Sequence, residues 1–399
     1  MSTRLAAALI LSALLASAAM GSVAAASGSG TPSSTTVPLV MFDNRPMVRC
    51  TIDGRGPYLF VLDTGSIDIA LTTRVAEALR LPIRWSPPAN AGGAGEHAVR
   101  VGSAPVRAVG LGAMTFHPGN VTVLDLGEIE RGIGFPRLDG VIGYPALKDV
   151  KTEIDVDRRT ITLTRGAVAI PPGAQTVAFT GQIPVVGAVI DGVRGSVVVD
   201  TGDRSSFTVF GGFAKRHGYY ERPHALRNVL TGFGIGGPIY GDVMRLPSFQ
   251  IFRTTLRDVT TRASRQRAGA FKTAPQVGSI GGGVLNRFNV VYDYPRKTIT
   301  AWPSRAFGVP DAYDRSGLWL SPRSDGDLVR GLVPNGPAAR AGIRAGDVVR
   351  AIDGRSTTRW PIDELRAYLA RTAAGSRVRA TVRRNNRELA YLVTLRDQI

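Results

Sequence analysis

One tripeptide, Asp-Thr-Gly, occurs twice in the chain, and each copy follows an apolar run of residues typical of a strand. The copies are Asp63-Thr64-Gly65 and Asp200-Thr201-Gly202. An acid at the end of a buried strand is costly to ionise, because loss of water disfavours its charged form. Two such acids at close range can share one proton, since both cannot ionise together, and the pair can then activate a water molecule. The sequence therefore predicts a hydrolytic site built on two aspartates.

The residues around the two tripeptides also repeat. Upstream, Ile52-Asp53-Gly54 corresponds to Ile190-Asp191-Gly192, and downstream Val141-Ile142-Gly143 corresponds to Ser279-Ile280-Gly281. The offset between matching positions stays nearly constant over the whole stretch. A fixed period with matched apolar positions is the signature of a duplicated structural unit. Each aspartate is therefore expected to belong to one of two similar halves.

This arrangement resembles that of the pepsin-like and retropepsin-like aspartic proteases, in which an apolar-apolar-glycine element also follows each aspartate loop. The resemblance implies a mainly β, bilobal acid protease fold with lobes at residues 37–170 and 171–305. Asp63 and Asp200 would be the catalytic pair, and a polypeptide substrate would lie in the cleft between the lobes. Because both lobes lie in one chain, the pair is expected to form in a monomer, without a cofactor or a metal ion.

The same resemblance implies how the two aspartate loops are supported. Thr64 and Thr201 would cross-link the loops through hydroxyl hydrogen bonds. The N–H groups of Gly65 and Gly202 would donate to the carboxylates. Ser66 would donate to the first aspartate, which favours the ionised form of that group.

The second half departs from this pattern at Asp203, which stands where the first half has a serine. An ionised Asp203 can only accept hydrogen bonds, so Asp200 would lose a donor and gain a neighbouring charge that raises the pKa of the pair. The catalytic optimum would then lie nearer to neutral pH. Alternatively, Asp203 turns away to pair with Arg204 or to cap the next turn. The sequence alone leaves both orientations open.

A glycine-rich stretch follows the short helix predicted in each half. The first stretch contains Gly92, Gly93 and Gly95, and the second contains Gly232, Phe233 and Gly234. Each is either an ordinary surface loop or a hairpin flap that closes over an extended peptide and excludes water. The resemblance favours flaps. Pepsin-like enzymes usually carry a tyrosine on the first flap, and none lies between Thr64 and Gly143, so this feature is more retropepsin-like.

Beyond a predicted linker at residues 306–315, the pattern changes. The phrases Gly317-Leu318-Trp319-Leu320, Gly346-Asp347 and Ile352-Asp353-Gly354 closely resemble a bacterial PDZ domain, an α+β fold, over residues 316–399. Such a domain binds an extended peptide as an added strand, usually at the peptide's C-terminus. The backbone N–H groups of the first phrase are the candidate nest for the terminal carboxylate. Leu365 and Leu369, on a predicted helix, would bound a side-chain pocket.

The first residues have the features of a secretory signal peptide. Arg4 supplies a positive charge, residues 5–16 an apolar core, and Ala24-Ala25-Ala26 a cleavage site, so residues 1–26 are predicted to be removed. The alternative is an uncleaved membrane anchor, because the alanine-rich stretch extends to Ala26. Residues 27–36 are predicted to form a disordered lead-in. A cleaved signal implies a secreted protein, in the bacterial periplasm, with no stable membrane span after cleavage.

Composition argues against several other classes of protein. The formal net charge is +18 over 399 residues, but the positive residues are scattered, which favours a solvated basic surface over a nucleic-acid site. Cys50 is the only cysteine and lacks an activating base nearby, and the four histidines lack metal-ligand spacing. No Gly-x-Ser-x-Gly sequence occurs. The residues needed by serine hydrolases and metalloproteases are therefore missing.

The main functional prediction is an aspartic-type endopeptidase whose PDZ domain docks the tails of substrates or partners. A second interpretation belongs to another class, a non-catalytic peptide-binding protein whose protease halves have lost turnover. Two departures from the family pattern favour this interpretation. Asp203 stands where a serine or threonine is usual, and Ser279 is polar where an apolar residue is usual. Both catalytic aspartates are nevertheless present, which favours the enzyme.

Overall fold

The computed structural model describes residues 33–88, 93–135 and 137–399. The predicted signal peptide and residues 27–32 of the predicted lead-in therefore lie outside the described residues. Among the residues described, no helix is long and apolar enough to cross a membrane.

Strands are the main secondary structure of the two lobes, and many of their residues are β-branched or aromatic, which favours extended backbone. They are β1 (Ser34–Pro38), β2 (Val40–Phe42), β3 (Arg45–Ile52), β4 (Arg55–Leu62), β5 (Ala70–Thr72), β6 (Arg84–Trp85), β7 (Val101–Val106), β8 (Val109–Leu111), β9 (Met114–Phe116), β10 (Gly119–Leu124), β11 (Gly140–Ile142), β12 (Lys151–Asp155), β13 (Thr160–Thr164), β14 (Gln175–Ala178), β15 (Val185–Ile190), β16 (Val193–Val199), β17 (Phe207–Val209), β18 (Leu226–Gly234), β19 (Gly237–Leu246), β20 (Phe249–Ile251), β21 (Thr254–Leu256), β22 (Val259–Ser264), β23 (Gly278–Ile280), β24 (Phe288–Asp293) and β25 (Thr298–Pro303).

The two lobes repeat one strand order, as expected of a duplicated unit. The first lobe has the order β6-β7-β10-β5-β11-β4-β3-β8-β9, with β2 paired to β3. The second has β18-β19-β22-β17-β23-β16-β15-β20-β21. In both, the strand that precedes the aspartate, β4 or β16, pairs in parallel with the strand of the apolar-apolar-glycine element, β11 or β23. The chain is therefore bilobal and mainly β.

A six-stranded sheet, of order β1-β13-β12-β24-β25-β14, joins the lobes. Its central pairing is antiparallel, between β12 of the first half and β24 of the second. The prediction that the disordered lead-in extends to residue 36 is wrong, because β1 pairs with β13. Alternate residues of β1 are buried, and the Thr35 hydroxyl accepts a hydrogen bond from the Ala113 N–H at 2.9 Å. The polar composition of β1 is typical of a disordered segment, so the sequence did not indicate a strand here.

Helices in the lobes are short. They are α1 (Thr73–Ala78), α2 (Gly127–Ile129), which continues as a π-helical turn (Glu130–Gly134), α3 (Tyr144–Leu147), α4 (Gly211–Arg216), α5 (Ala270–Thr273) and α6 (Gly282–Leu285). Thr72 begins α1, since its hydroxyl accepts a hydrogen bond from the Val75 N–H at 3.3 Å. The π-helical turn bears on the C-terminal domain, as shown below.

The C-terminal domain is a separate sheet with two helices. Its elements are β26 (Leu318–Arg323), β27 (Gly326–Leu332), α7 (Pro337–Ala341), β28 (Val348–Ile352), β29 (Arg355–Ser356), a 3-10 turn (Thr357–Arg359), α8 (Ile362–Arg371), β30 (Arg377–Arg384) and β31 (Arg387–Thr394). The strand order is β26-β27-β28-β30-β31, with β29 paired to β28. β26 is therefore an edge strand, which a further strand could extend.

Candidate active site

The two aspartates stand at equivalent places, directly after β4 and β16, and both side chains are half-buried. The Asp63 N–H donates to the Ile142 carbonyl at 2.9 Å, and the Asp200 N–H donates to the Ile280 carbonyl at 3.0 Å. The strand of each apolar-apolar-glycine element therefore braces the aspartate loop of its own lobe.

Thr64 and Thr201 link the two loops by a symmetric set of buried hydrogen bonds. The Thr64 hydroxyl donates to the Val199 carbonyl at 2.7 Å and accepts from the Thr201 N–H at 3.1 Å. The Thr201 hydroxyl donates to the Leu62 carbonyl at 2.6 Å and accepts from the Thr64 N–H at 3.0 Å. Each hydroxyl thus ties its loop to the opposite lobe, so the cross-link that the sequence suggested is present.

Gly65 and Gly202 fix the carboxylates face to face. The Gly65 N–H donates to Asp63 Oδ1 at 2.7 Å, and the Gly202 N–H donates to Asp200 Oδ1 at 2.8 Å. A Cβ atom on Gly65 would lie 2.6 Å from Asp200 Cγ, and one on Gly202 would lie 2.5 Å from Asp63 Cγ. Each glycine therefore contacts the carboxylate of the other lobe, and a larger residue does not fit.

Burial raises the pKa of both aspartates. For Asp63 the Gly65 N–H and a hydrogen bond from Asp200 oppose this effect. For Asp200 the charges of Asp63 and then Asp203 add to the effect of burial, so its pKa is raised well above the ordinary value. Raised pKa values on two facing carboxyl groups favour a pair that shares one proton, and the extra charge of Asp203 acts on the Asp200 side of the pair.

The prediction that Ser66 donates to Asp63 is wrong. The Ser66 hydroxyl donates to the Asp68 carbonyl at 2.9 Å and accepts from the Asp68 N–H at 3.3 Å. The chain turns at Ile67, and the Ser66 hydroxyl forms its hydrogen bonds within this short turn.

Asp203 turns its carboxylate away from the pair, which is the second of the two orientations considered. Its partner is Arg262 of β22, at 3.0 Å, and not Arg204. Its carboxylate also caps the next turn, accepting from the Ser205 N–H at 2.9 Å and from the Ser205 hydroxyl at 2.8 Å. Burial raises the pKa of Asp203, but Arg262 and Ser205 outweigh it and the pKa is lowered.

Asp203 nevertheless acts on the catalytic pair. Its backbone N–H donates to Asp200 Oδ1 at 3.1 Å, and its charge raises the pKa of Asp200. Sequence reasoning missed Arg262, which is buried on β22. An arginine within a strand otherwise free of charge, Val259–Ser264, was the signal that could have drawn attention to it.

The two glycine-rich stretches lie against each other. Gly92 lies outside the described residues. The second stretch forms a hairpin, β18–β19, that carries Gly232, Phe233 and Gly234 on β18. The Gly95 N–H donates to the Ile235 carbonyl, and the His97 N–H donates to the Gly236 carbonyl, both at 2.9 Å. A Cβ on Gly93 would lie 2.4 Å from the Ile235 carbonyl oxygen, so the first stretch also needs glycine there.

The prediction that Leu365 and Leu369 bound a peptide pocket is wrong. Both side chains are buried in the apolar core of the C-terminal domain. A different face of α8, which carries Asp363, Arg366, Ala367 and Ala370, lines a cavity of about 730 Å³ beside the edge strand β26. The helix was predicted correctly, but the apolar residues on it serve the domain core.

The predicted carboxylate nest is partly occupied by local groups. The Gly317 N–H donates to Asp314 Oδ1 at 2.6 Å, and the Leu318 N–H donates to the Ser316 hydroxyl at 3.2 Å. On the open edge of β26, the Leu320 carbonyl accepts from Arg366 Nη2 at 2.9 Å. Gly317, Leu318 and Trp319 all line the cavity that α8 borders.

Metal ligands and the cysteine thiol are two other kinds of group that can be located among the described residues. No cluster of three or more His, Cys, Asp or Glu side chains suited to a metal ion occurs in that part of the chain. Cys50 is buried, and burial raises the pKa of its thiol.

Known protein families match both the first lobe and the C-terminal domain of the chain. A family model described as aspartyl protease matches residues 48–146, and a model described as PDZ domain matches residues 328–384. The aspartic proteinase from Irpex lacteus is similar in structure, with a TM-score of 0.43 and 14% sequence identity, covering 69% of this chain and 99% of that one. No curated protein matches the chain. The chain thus contains an aspartyl protease domain, within a bilobal and mainly β fold, and a PDZ domain at its C-terminus.

Proposed function

We propose that this protein is an aspartic endopeptidase that hydrolyses peptide bonds of polypeptides bound between its lobes. The observation that carries the proposal is the symmetric cage around Asp63 and Asp200. Two carboxyl groups with raised pKa values are held face to face by glycine N–H groups and by the threonine cross-link. Such a cage restricts both groups to one geometry before substrate arrives, which is what general acid–base catalysis requires.

The asymmetry of the pair assigns the two roles. Asp63, as the ionised member, accepts a proton from a water molecule that attacks the scissile carbonyl carbon. Asp200, as the protonated member, donates to the carbonyl oxygen as the tetrahedral gem-diol forms. Collapse of the gem-diol then breaks the C–N bond, the proton held by Asp63 passes to the amine, and Asp200 recovers its proton from a gem-diol hydroxyl. The pair thus returns to its starting state.

The glycine-rich stretches act as flaps over this site. Ala94 of the first stretch and Ile239, on β19 of the second hairpin, belong to one apolar cluster with Val198, which lies close to Asp200 in the chain. When the stretches meet, they exclude water from the dyad, and a substrate reaches the cleft only after they separate.

The PDZ domain docks the C-terminal tail of a substrate or partner along the edge of β26. The protein acts as a monomer, because both aspartates come from one chain. A cleaved signal peptide would deliver it to the bacterial periplasm.

A turnover assay with matched variants tests this function. Hydrolysis of a quenched fluorescent peptide library would be measured for the mature chain and for Asp63→Asn, Asp200→Asn and Asp68→Asn. The first two variants should lose hydrolysis, since an amide is neither a base nor a proton source, while the surface variant Asp68→Asn should retain it. A folded wild type that binds peptides but hydrolyses none of them across the pH range would support the non-catalytic alternative instead.

A further inference from the structure

The hairpin that carries the second flap packs on the PDZ domain. Phe233 of β18 is buried, and its ring centroid lies 6.0 Å from that of Trp319 on β26. The guanidinium of Arg330, on β27, lies 5.2 Å from the centre of the Phe233 ring. Leu230 of the same hairpin contacts Gly331, where an added Cβ would lie 3.2 Å from it. A flap that must move for substrate entry is thus held against another domain.

The first lobe reaches the same place through its π-helical turn, Glu130–Gly134. The Gly132 carbonyl accepts hydrogen bonds from Trp319 Nε1 and from the Ser321 hydroxyl, both at 3.0 Å. A Cβ on Gly132 would lie 2.4 Å from the Phe233 ring, and one on Gly134 would lie 2.5 Å from Pro322. The turn therefore packs on side chains of β26, next to the edge where a docked peptide strand would lie.

A charge cluster sits on the other side of Trp319. The buried Asp43 carboxylate contacts Arg45 at 3.2 Å, Arg204 at 2.7 Å and Arg366 at 3.4 Å. Burial raises the pKa of Asp43, but these arginines lower it to about 2. The guanidinium groups of Arg204 and Arg366 also lie 5.3 Å and 5.1 Å from the Trp319 ring centre. One carboxylate thus joins both lobes to the PDZ domain.

This cluster reaches the catalytic loop directly. Arg45 Nε donates to the Gly202 carbonyl at 2.7 Å, and Gly202 is the residue whose N–H holds Asp200. Arg204 follows Asp203 in the same loop. A change at Arg366 of the PDZ domain is therefore two side chains away from the backbone that supports the dyad.

The cluster itself carries more positive than negative charge, although the cavity as a whole is nearly balanced. Six arginines line the cavity together with five acidic residues, Asp43, Asp311, Asp314, Asp363 and Glu364. Three guanidinium groups share the single Asp43 carboxylate, and two of them, Arg204 and Arg366, line the cavity beside β26. A buried excess of positive charge next to open space favours an anionic ligand. The small side chains of Ala367 and Ala370 leave room beside it for an apolar side chain.

We infer that the PDZ domain is a latch on the second flap, and that an acidic peptide with a free C-terminus opens it. The peptide enters the cavity, and its carboxylates replace Asp43 as the ion-pair partners of Arg366 and Arg204. Its backbone pairs with β26, which displaces the π-helical turn and shifts Trp319. Phe233 then loses its contacts, and the flap hairpin separates from the first flap. This inference rests on the proposed function, because a latch matters only if the cleft takes substrate.

The energetic requirement is modest. A ligand shifts the balance between a closed and an open state only by its difference in affinity for the two, and differences of about 5- to 150-fold are common. The peptide meets this requirement because it can replace Asp43 and the Leu320 carbonyl as partners of Arg366 only when the latch opens. In the closed state Arg366 donates to the Leu320 carbonyl, and the Ser321 hydroxyl holds the turn by donating to the Gly132 carbonyl.

The first test does not depend on turnover. Hydrogen–deuterium exchange of the full-length Asp200→Asn variant would be followed with and without the peptide Ac-Gly-Gly-Glu-Glu-Leu-Val bearing a free carboxylate. Backbone amides of 226–246 and 127–135 should exchange faster when the peptide is bound. The control peptide Ac-Gly-Gly-Gln-Gln-Leu-Val-amide should have no effect. Failure of the acidic peptide to bind, or binding without faster exchange, would overturn the latch.

The second test uses variants that weaken the latch without touching the catalytic pair. Trp319→Phe and Arg366→Gln should raise the basal rate on a short fluorogenic peptide by about fivefold or more and remove stimulation by the acidic peptide. Matched controls are Trp360→Phe and Arg355→Gln, whose side chains stack on each other within the PDZ domain. These should keep the wild-type basal rate and stimulation. Thermal unfolding checks that each variant folds. If Trp319→Phe does not fold, Arg366→Gln alone provides the test.

The outcomes separate this inference from the proposed function. If the wild type hydrolyses peptides but the acidic peptide changes neither rate nor exchange, the protease stands and the latch is wrong. If exchange responds while no substrate is ever hydrolysed, the proposed protease function fails and the conformational coupling stands. Equal basal rates in Arg366→Gln and Arg355→Gln would also overturn the latch.

Discussion

Set side by side, the first and second lobes hold their aspartates with matching hydrogen bonds but surround them with different charges. Each lobe contributes a threonine hydroxyl to the other and a glycine N–H to its own carboxylate. After the glycine the loops diverge, because Ser66 closes a local turn whereas Asp203 pairs with buried Arg262. The symmetric part determines where the carboxyl groups lie, and the asymmetric part raises the pKa of one of them, Asp200.

The largest expected effect tests the symmetric part. Gly65→Ala and Gly202→Ala should each reduce turnover by two orders of magnitude or more, roughly the cost of displacing a reacting group by about 1 Å. The added Cβ would lie within 2.6 Å of the opposite carboxyl carbon, so the pair must separate. The rate constant kcat on a fluorogenic peptide provides the measurement.

Gly187→Ala is a matched control in the second lobe, since a Cβ there meets nothing within 4 Å. It should retain wild-type turnover. If either of the two loop variants matched this control, the face-to-face geometry would not be needed for catalysis.

The next effect concerns stability and should be equal in the two lobes. Thr64→Ala and Thr201→Ala should each lower the free energy of unfolding by about 1–3 kcal/mol, because a buried carbonyl and a buried N–H each lose their partner. Thr64→Ser and Thr201→Ser keep the hydroxyl and should recover most of the loss. Chemical denaturation of the four variants provides the measurement. A marked difference between the two alanine variants would show that the cross-link is not symmetric in energy.

The asymmetric part predicts a change in pH dependence. Catalysis needs the singly ionised pair, so the acid limb of the rate profile marks gain of a second proton and the alkaline limb marks loss of the last one. The charge of Asp203 raises the pKa of Asp200. Asp203→Asn removes that charge and keeps an acceptor oxygen, so both limbs should move to lower pH.

Ser66→Ala is the corresponding change in the first lobe. The Ser66 hydroxyl contacts Asp68 and not the catalytic carboxylate, so this variant should keep the wild-type profile. The pH dependence of kcat for both variants decides the matter. If the Asp203→Asn profile overlaid that of the wild type, Arg262 would be neutralising Asp203 completely.

The sequence predicted those parts of the site that local chemistry determines. The repeated Asp-Thr-Gly after an apolar strand identified Asp63 and Asp200, and the family resemblance that it carries implied the roles of the threonine hydroxyls and the glycine N–H groups. It was not sufficient for Ser66 or Asp203, because short side chains on a turn choose among several nearby partners. The partner of Asp203, Arg262, lies on another strand and becomes a neighbour only after folding. Its role could not be read from residues around the motif.

The C-terminal part shows the same limit at a larger scale. The glycine and aspartate phrases of the PDZ domain indicated its fold, and the helix appeared where apolar spacing placed it. That spacing identified the face of α8 that packs into the core, whereas the face toward the cavity carries Arg366 and two alanines. Contacts of Trp319 with the first lobe and with the flap depend on how domains pack, which no local pattern encodes.

The smallest expected effect concerns the strands that brace the two loops. Ser279 of β23 occupies the place that Val141 has in β11, and its buried hydroxyl has no hydrogen-bond partner among the described residues. An unpaired buried hydroxyl destabilises the folded state, because it has given up its hydrogen bonds to water. Ser279→Ala should therefore raise the free energy of unfolding by about 1 kcal/mol.

Ser264→Ala is the matched control, since Ser264 is buried in the same lobe but its hydroxyl accepts from the Gln266 N–H at 3.2 Å. This control should lower stability, so the two variants should move the unfolding midpoint in opposite directions. Turnover of Ser279→Ala should match the wild type if Asp200 is placed mainly by its glycine N–H and the threonine cross-link. A loss of stability in Ser279→Ala would mean that its hydroxyl is hydrogen-bonded in solution, and the second brace would then be as well satisfied as the first.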